Sequence, residues 1–215
     1  MKSTLVCVAI LALAILTGCA SAPPKPVAPD PNWPRSILVM PPLNHSIEPN
    51  APYTYLSTIS RPLAEKGYYV FPVAVIDQLL KDNGLPTPDE MNAIPLDKIR
   101  QHTGADAVLY GVISDWGQKF QVITSSTVVS VHLRLVDTRT GAELWQGKVH
   151  GRQNSDSHNG GLLGAVVNAV ANQVAGSISD QTPQLARSAN YSTIYGSGGK
   201  GLPDGFYRWP QTAEP

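Results

Sequence analysis

Between residues 129 and 135 apolar and polar side chains alternate without a break. Val129, Val131, Leu133 and Leu135 fall on one face, and Ser130, His132 and Arg134 on the other. A period of two marks a strand with one buried and one solvated side. The run reaches back to residue 122. It stops at Asp137-Thr138-Arg139-Thr140-Gly141, a turn sequence, and residues 143–152 return as the partner strand. A long hairpin with one apolar face cannot stand alone in water, so the rest of the chain must provide a layer that covers it.

The preceding segments can supply that layer. Residues 36–40 form a short apolar run stopped by Pro41-Pro42, which predicts a buried strand. Leu56, Ile59 and Leu63 follow at helical spacing. Pro62 is expected to kink or split that helix, and Lys66-Gly67 to close it. Residues 68–72 predict a second strand. Val75, Ile76, Leu79 and Leu80 predict a short amphipathic helix ending at Asn83-Gly84. Thr87-Pro88-Asp89-Glu90 reads as a capping box whose helix breaks at Pro95 and resumes to Gly104. Residues 106–115 are apolar on both faces, which places that strand centrally in a sheet.

After the hairpin comes a Gly-containing loop at 155–161. Leu163, Val166, Val167, Val170, Val174 and Ile178 then form a helical stripe with almost no charge around it. From residue 181 the chain is rich in Pro, Gly and Ser and carries Tyr191, Tyr195, Phe206, Tyr207 and Trp209; little regular structure is expected there. The predicted order is β-α-β-α-α-β-β-β-α. The class is α/β (α+β): a single domain over residues 36–180 built on a mixed sheet with a long β-hairpin, followed by an irregular tail at 181–215.

Ahead of the domain, Lys2 precedes an uncharged run of about 12 residues, too short for a bilayer span, which needs roughly 20. The run ends in Leu16-Thr17-Gly18-Cys19, a lipoprotein-type cleavage site. Residues 1–18 are therefore expected to be a signal peptide and Cys19 the site of lipidation. Ala20 follows Cys19; the absence of aspartate there resembles sorting to the outer membrane. Residues 19–35 hold prolines at positions 23, 24, 26, 29, 31 and 34. As extended polyproline at about 3.1 Å per residue, such a spacer reaches on the order of 50 Å.

Chemistry is scarce. The only other cysteine, Cys7, lies in the signal segment, so the mature domain has neither a disulfide nor a thiolate. The five histidines show no HExxH or HxH spacing, although His132 and His150 could approach each other across the hairpin. GxSxG is absent. Residues 196–201, GSGGKG, lack the spacing of a phosphate loop. Asp115-Trp116 is a weak candidate for a binding corner. With 16 basic and 16 acidic residues there is no basic excess for nucleic acid. No catalytic residue, metal or cofactor is expected.

Three stretches carry a family resemblance: GYYVFP (67–72), GADAVLYGVISDW (104–116) and LRLVDTRTGAELWQG (133–147). They resemble a family of bacterial outer-membrane lipoproteins of unknown function that includes a neisserial lipoprotein of the surface-antigen type. The likeness extends over nearly the whole mature chain. GADAVLYG and LVDTRTG are also similar to the N-terminal domain of TolB and to CsgG-type lipoproteins. The resemblance implies a small TolB-like α/β domain working through protein contacts in an envelope transport or secretion assembly, with CsgG-like lipoproteins as partners. The reading that follows is a non-enzymatic accessory or scaffold, lipid-anchored to the outer membrane and facing the periplasm. A periplasmic small-ligand or peptidoglycan-binding module and a surface-displayed antigen or adhesin are the alternatives. The tail aromatics are the candidate interaction surface. They and the helix expected at 163–178 are candidates for a homodimer or larger homo-oligomer.

Overall fold

The computed structural model describes residues 32–120, 125–154 and 180–208. The signal segment, Cys19, most of the spacer, the helix expected at 163–178 and Trp209 lie outside the described residues. Elements follow in the order β1 (Ser36–Val39), β2 (Leu43–Asn44), α1 (Ala51–Glu65), β3 (Tyr69–Val70), α2 (Val73–Asp82), α3 (Pro88–Asn92) and α4 (Leu96–Thr103). After them come β4 (Ala107–Phe120), β5 (Ser125–Asp137), β6 (Glu143–Asn154), α5 (Thr182–Ile194) and a 3₁₀ turn at Phe206–Arg208. One mixed sheet in the order β3-β1-β4-β5-β6 organises them, with β2 paired to Val112 and Ile113 in the middle of β4. β1 runs parallel to β3 and β4; β4, β5 and β6 are antiparallel. The strand that is apolar on both faces is thus central, as its sequence predicts.

Local chemistry sets several boundaries. Thr87 Oγ1 accepts from Glu90 N and the Glu90 carboxylate from Thr87 N, closing the predicted capping box. Pro95 separates α3 from α4, because a proline cannot donate to the turn before it. Pro62 behaves differently from expectation. α1 passes through it unbroken, for it sits buried in the last turn and its carbonyl still accepts from Lys66 N. In the hairpin turn, Asp137 Oδ1 accepts from Arg139 N, Thr140 N and Thr140 Oγ1, which folds it. Burial disfavours the charged carboxylate there, but these donors outweigh it and hold its pKa below the usual range.

Two cores form. Ile37, Leu109, Ile113, Val131 and Leu135 meet α1 and α5 on one side of the sheet. On the other, Leu38, Met40 and Val108 meet Ile76, Met91 and Ile99. The second helical layer covers only the start of β4. Farther along that face the strands have no helix over them among the described residues.

The largest departure from expectation is α5. The irregular tail predicted from residue 181 is, over Thr182–Ile194, a helix packed into the first core, with Ala186, Ala189, Asn190 and Ile194 buried. Its sequence hides this because its contact residues are small or polar rather than a Leu or Val stripe. Glycines in β6 let it approach: a Cβ on Gly151 would stand 2.9 Å from Leu185 Cγ, and one on Gly147 2.9 Å from Thr193 Cγ2. Within the contact, Tyr55 Oη donates to Asn190 Oδ1 (2.8 Å), Asn190 Nδ2 donates to Thr58 Oγ1 (3.0 Å), and Thr58 Oγ1 donates to Tyr55 O (2.7 Å). All three residues are buried, and burial pushes the Tyr55 hydroxyl far above its ordinary pKa.

Removing one member of this network leaves a buried polar atom without its partner. Tyr55→Phe is expected to destabilise the fold by about 1–3 kcal/mol in urea denaturation. Gly151→Val, which drives a side chain into Leu185, should cost about as much, and an unchanged midpoint for either would contradict the packing described. Asp137→Ala should also lose about 1–3 kcal/mol at neutral pH. Because the folded-state pKa is depressed, this contribution is complete above the unfolded value near ~3.9 and disappears as pH falls through the folded value. Denaturation curves of Asp137→Ala and the parent chain should therefore converge in strong acid.

Candidate functional site

The tail aromatics mostly serve their own domain. Tyr191 Oη donates to Glu65 Oε2 (2.7 Å), and its ring stacks on Tyr195 with centroids 5.9 Å apart. The bonds from Tyr191 and Arg61 hold the Glu65 carboxyl below its ordinary range, and the same contact raises the Tyr191 hydroxyl. Lys66 Nζ sits 4.9 Å from the Tyr195 centroid and 2.7 Å from Asp204. Phe206 lies under the Arg35 guanidinium at 4.1 Å. Tyr207 anchors by its backbone, Tyr207 N donating to Gly67 O, while its side chain is 60% exposed. Of the candidate interaction residues within the described chain, Tyr207 and part of Tyr195 remain open to a partner.

The other sequence candidates disperse. Trp116 is buried edge-on against Tyr55, and Asp115 pairs with Lys119, so this pair forms no corner at a strand end. The pair lies inside β4, which continues past a bulge to Phe120. Residues 196–201 fold into a tight loop after α5; no strand precedes them, and Leu202 N closes the loop by donating to Ile194 O. Among the described residues no group of three His, Cys, Asp or Glu side chains is placed to hold a metal, and no helix is long and apolar enough to cross a membrane. The loop at 155–161 is outside the described residues.

What the fold does assemble is an open sheet face. On that side of β4, Tyr110 packs at the edge of the second core and Val112 stands beyond it, both half-buried. Arg134 pairs across from Tyr110, and His132 from Val112. On β6, Gln146 faces Arg134, Lys148 faces His132, and His150 faces Ser130. His132, Arg134, Gln146, Lys148 and His150 are all exposed. Arg134 lies 5.6 Å from the Tyr110 ring centroid and lowers the raised pKa that burial gives that hydroxyl. His132 and His150 are diagonal neighbours on this face, one register step apart, so the approach expected from sequence holds only in that form. Two carboxylates flank these positions: Asp115, opposite Ser130 and paired with Lys119, and Glu143, opposite Val136 at the turn end. Like charges directly opposite one another destabilise a sheet, which applies here to Lys148 and a protonated His132. Gln146 and Lys148 escape notice in the sequence because the return strand lacks clean alternation; only the register set by the 137–141 turn puts them here.

These features define a mixed α/β domain that presents a broad polar surface. The residues of a catalytic or metal centre are not brought together within the described chain. The family model described as "Putative lipoprotein GNA1162-like" matches residues 30–206, and the chain belongs to that family. A curated relative, "Putative lipoprotein NMB1124/NMB1162" of Neisseria meningitidis serogroup B, is 42% identical over 161 residues, which is 75% of each chain. The crystal structure of lipoprotein GNA1162 from Neisseria meningitidis is 45% identical, covers 66% of this chain and 99% of its own, and superposes with a TM-score of 0.55. The family and single-domain mixed α/β class expected from sequence are both borne out.

The open face separates stability from binding. Lys148→Glu should leave stability unchanged or raise it by about 0.2–1 kcal/mol, since it places a carboxylate opposite His132. A large loss in thermal unfolding would show that Lys148 is held by the fold instead.

Proposed function

We propose that this chain is a lipoprotein anchored at the outer membrane through lipid on Cys19, with its domain in the periplasm. It serves as a non-enzymatic accessory or scaffold in an envelope transport or secretion assembly. The observation that carries the reading is the open β4–β5–β6 face, where exposed His132, Arg134, Lys148 and His150 cluster in the middle rows and Asp115 is already paired with Lys119. Such a face costs stability without a partner and attracts one bearing negative charge. Membership of a lipoprotein family and the LTGC sequence ending at Cys19 support the anchor. A CsgG-like envelope lipoprotein is the leading partner, and a second copy of this chain is another.

A second reading has one observation in its favour. An apolar cavity of about 360 Å³ opens between α2 and α4, lined by Leu38, Met40, Ile76, Leu80 and Ile99. It could hold a small apolar ligand, which native mass spectrometry of the purified chain would detect as a retained mass.

Photocrosslinkers placed at His132 and Gln146 in living cells should capture an envelope protein, and Arg134→Glu with Lys148→Glu should abolish the capture while the chain stays folded. Recovery of monomer alone would count against the scaffold reading. The chain extracted from membranes should carry the mass of a diacylglycerol on Cys19, and Cys19→Ala should lose it.

A further inference from the structure

One end of the sheet gathers the starts of the parallel strands. There the Asp106 carboxylate accepts from Arg35 N, Ser36 N and Ser36 Oγ, and the Asp106 carbonyl accepts from Thr138 N and Thr138 Oγ1. That knot brings four arginines to the same end. Arg35 precedes β1 and Arg139 lies in the hairpin turn. Arg100 at the end of α4 donates to Thr138 Oγ1 (3.3 Å), and Arg208 ends the 3₁₀ turn that packs on Gly67. All four are exposed.

Three carboxylates at this end are already engaged, and Glu143, where β6 leaves the turn, is exposed. Asp106 caps backbone and Ser36, Asp137 folds the turn, and Asp204 is held at 2.7 Å by Lys66, with Arg208 farther off at 3.7 Å. Beside the arginines stand two exposed aromatics, Tyr69 (51%) and Tyr207 (60%). The chain also enters the domain here. Trp33 Nε1 donates to Tyr68 Oη (2.6 Å), and Tyr68 Oη donates to Pro203 O (2.8 Å). Cys19 lies only fourteen residues ahead of Trp33.

We infer that this end is a membrane-docking surface, on which Arg35, Arg100, Arg139 and Arg208 contact anionic phospholipid headgroups while Tyr69 and Tyr207 enter the interfacial layer. Tyrosine places an apolar ring and a polar tip at that depth, and arginine reaches phosphates in a forked geometry. The inference rests on the lipoprotein reading for its geometry, because the anchor would emerge at the same end. It also changes what the spacer does. A stretch of that length permits the domain to stand off by on the order of 50 Å, but the arginine end would draw it down onto the bilayer. Strands β1 and β4 would then point away from the membrane, and the open face of the long hairpin would project into the periplasm.

The test uses the full mature chain, residues 19–215, carrying Cys19→Ser so that no acyl chain contributes. It should co-sediment with vesicles of phosphatidylethanolamine and phosphatidylglycerol, not with vesicles of phosphatidylcholine alone, and should be released by high salt. Arg35→Gln with Arg139→Gln should weaken binding about fivefold per arginine, and Tyr207→Ala should weaken it further. The control pair Arg134→Gln with Lys148→Gln removes the same charge from the sheet face and should change little. Equal binding to both vesicle types overturns the inference, as does equal loss in the control pair or no loss in the arginine variants. Circular dichroism shows that each variant is folded. Acylation is read separately from the mass at Cys19, so an unmodified Cys19 and a failure to bind vesicles are distinct results.

Discussion

Asp106 holds the starts of β1 and β4 to the turn that ends β5. Its carboxylate takes the backbone N–H groups of Arg35 and Ser36, its own N–H is answered by Ser36 Oγ, and its carbonyl receives Thr138. A carboxylate bonded to two or three donors is worth more than neutral contacts of the same count. Here it pins β1 beside β4 and ties the β5–β6 turn to both. The register of the hairpin against the parallel strands follows from this knot, and so does which residues reach the open face. Thr138 is buried and also bonds Ala105 O, so the turn cannot drift without breaking several hydrogen bonds together.

The two faces of the sheet are covered unequally, and the function we propose depends on that inequality. α1 and α5 cover one side from the start of the sheet to Trp116 and Val129, with α5 brought in by Gly147 and Gly151 and fastened through Asn190. On the other side α2, α3 and α4 cover β1 and the first residues of β4. The sheet then outgrows its cover, because β4, β5 and β6 are twelve to fourteen residues long while β1 has four. A strand of that length extends about 40–45 Å at roughly 3.3 Å per residue. The uncovered portion is polar, which is what keeps it compatible with water, and its cations are the part that stability alone does not explain.

Several features were legible in the residues themselves. The alternation at 129–135, the 137–141 turn, the capping box at Thr87 and the central position of the 106–115 segment all follow from local chemistry, and each matches the fold. The aromatics after residue 181 drew attention for the right reason, their density, but Tyr191 and Phe206 are occupied by Glu65 and Arg35, more than a hundred residues away in sequence. The lipid site at Cys19 is a motif reading and stands apart from the described domain.

The sequence by itself determined the class of fold, the hairpin and its wet side, and the family. Those depend on period, turn residues and short motifs, all local properties. Only the tertiary structure decided that residues 182–194 belong to the core, that Lys148 lies opposite His132, and that Arg35, Arg100, Arg139 and Arg208 share one end. These are long-range juxtapositions, fixed by strand register and by glycines that admit a helix, and no local pattern in the chain records them.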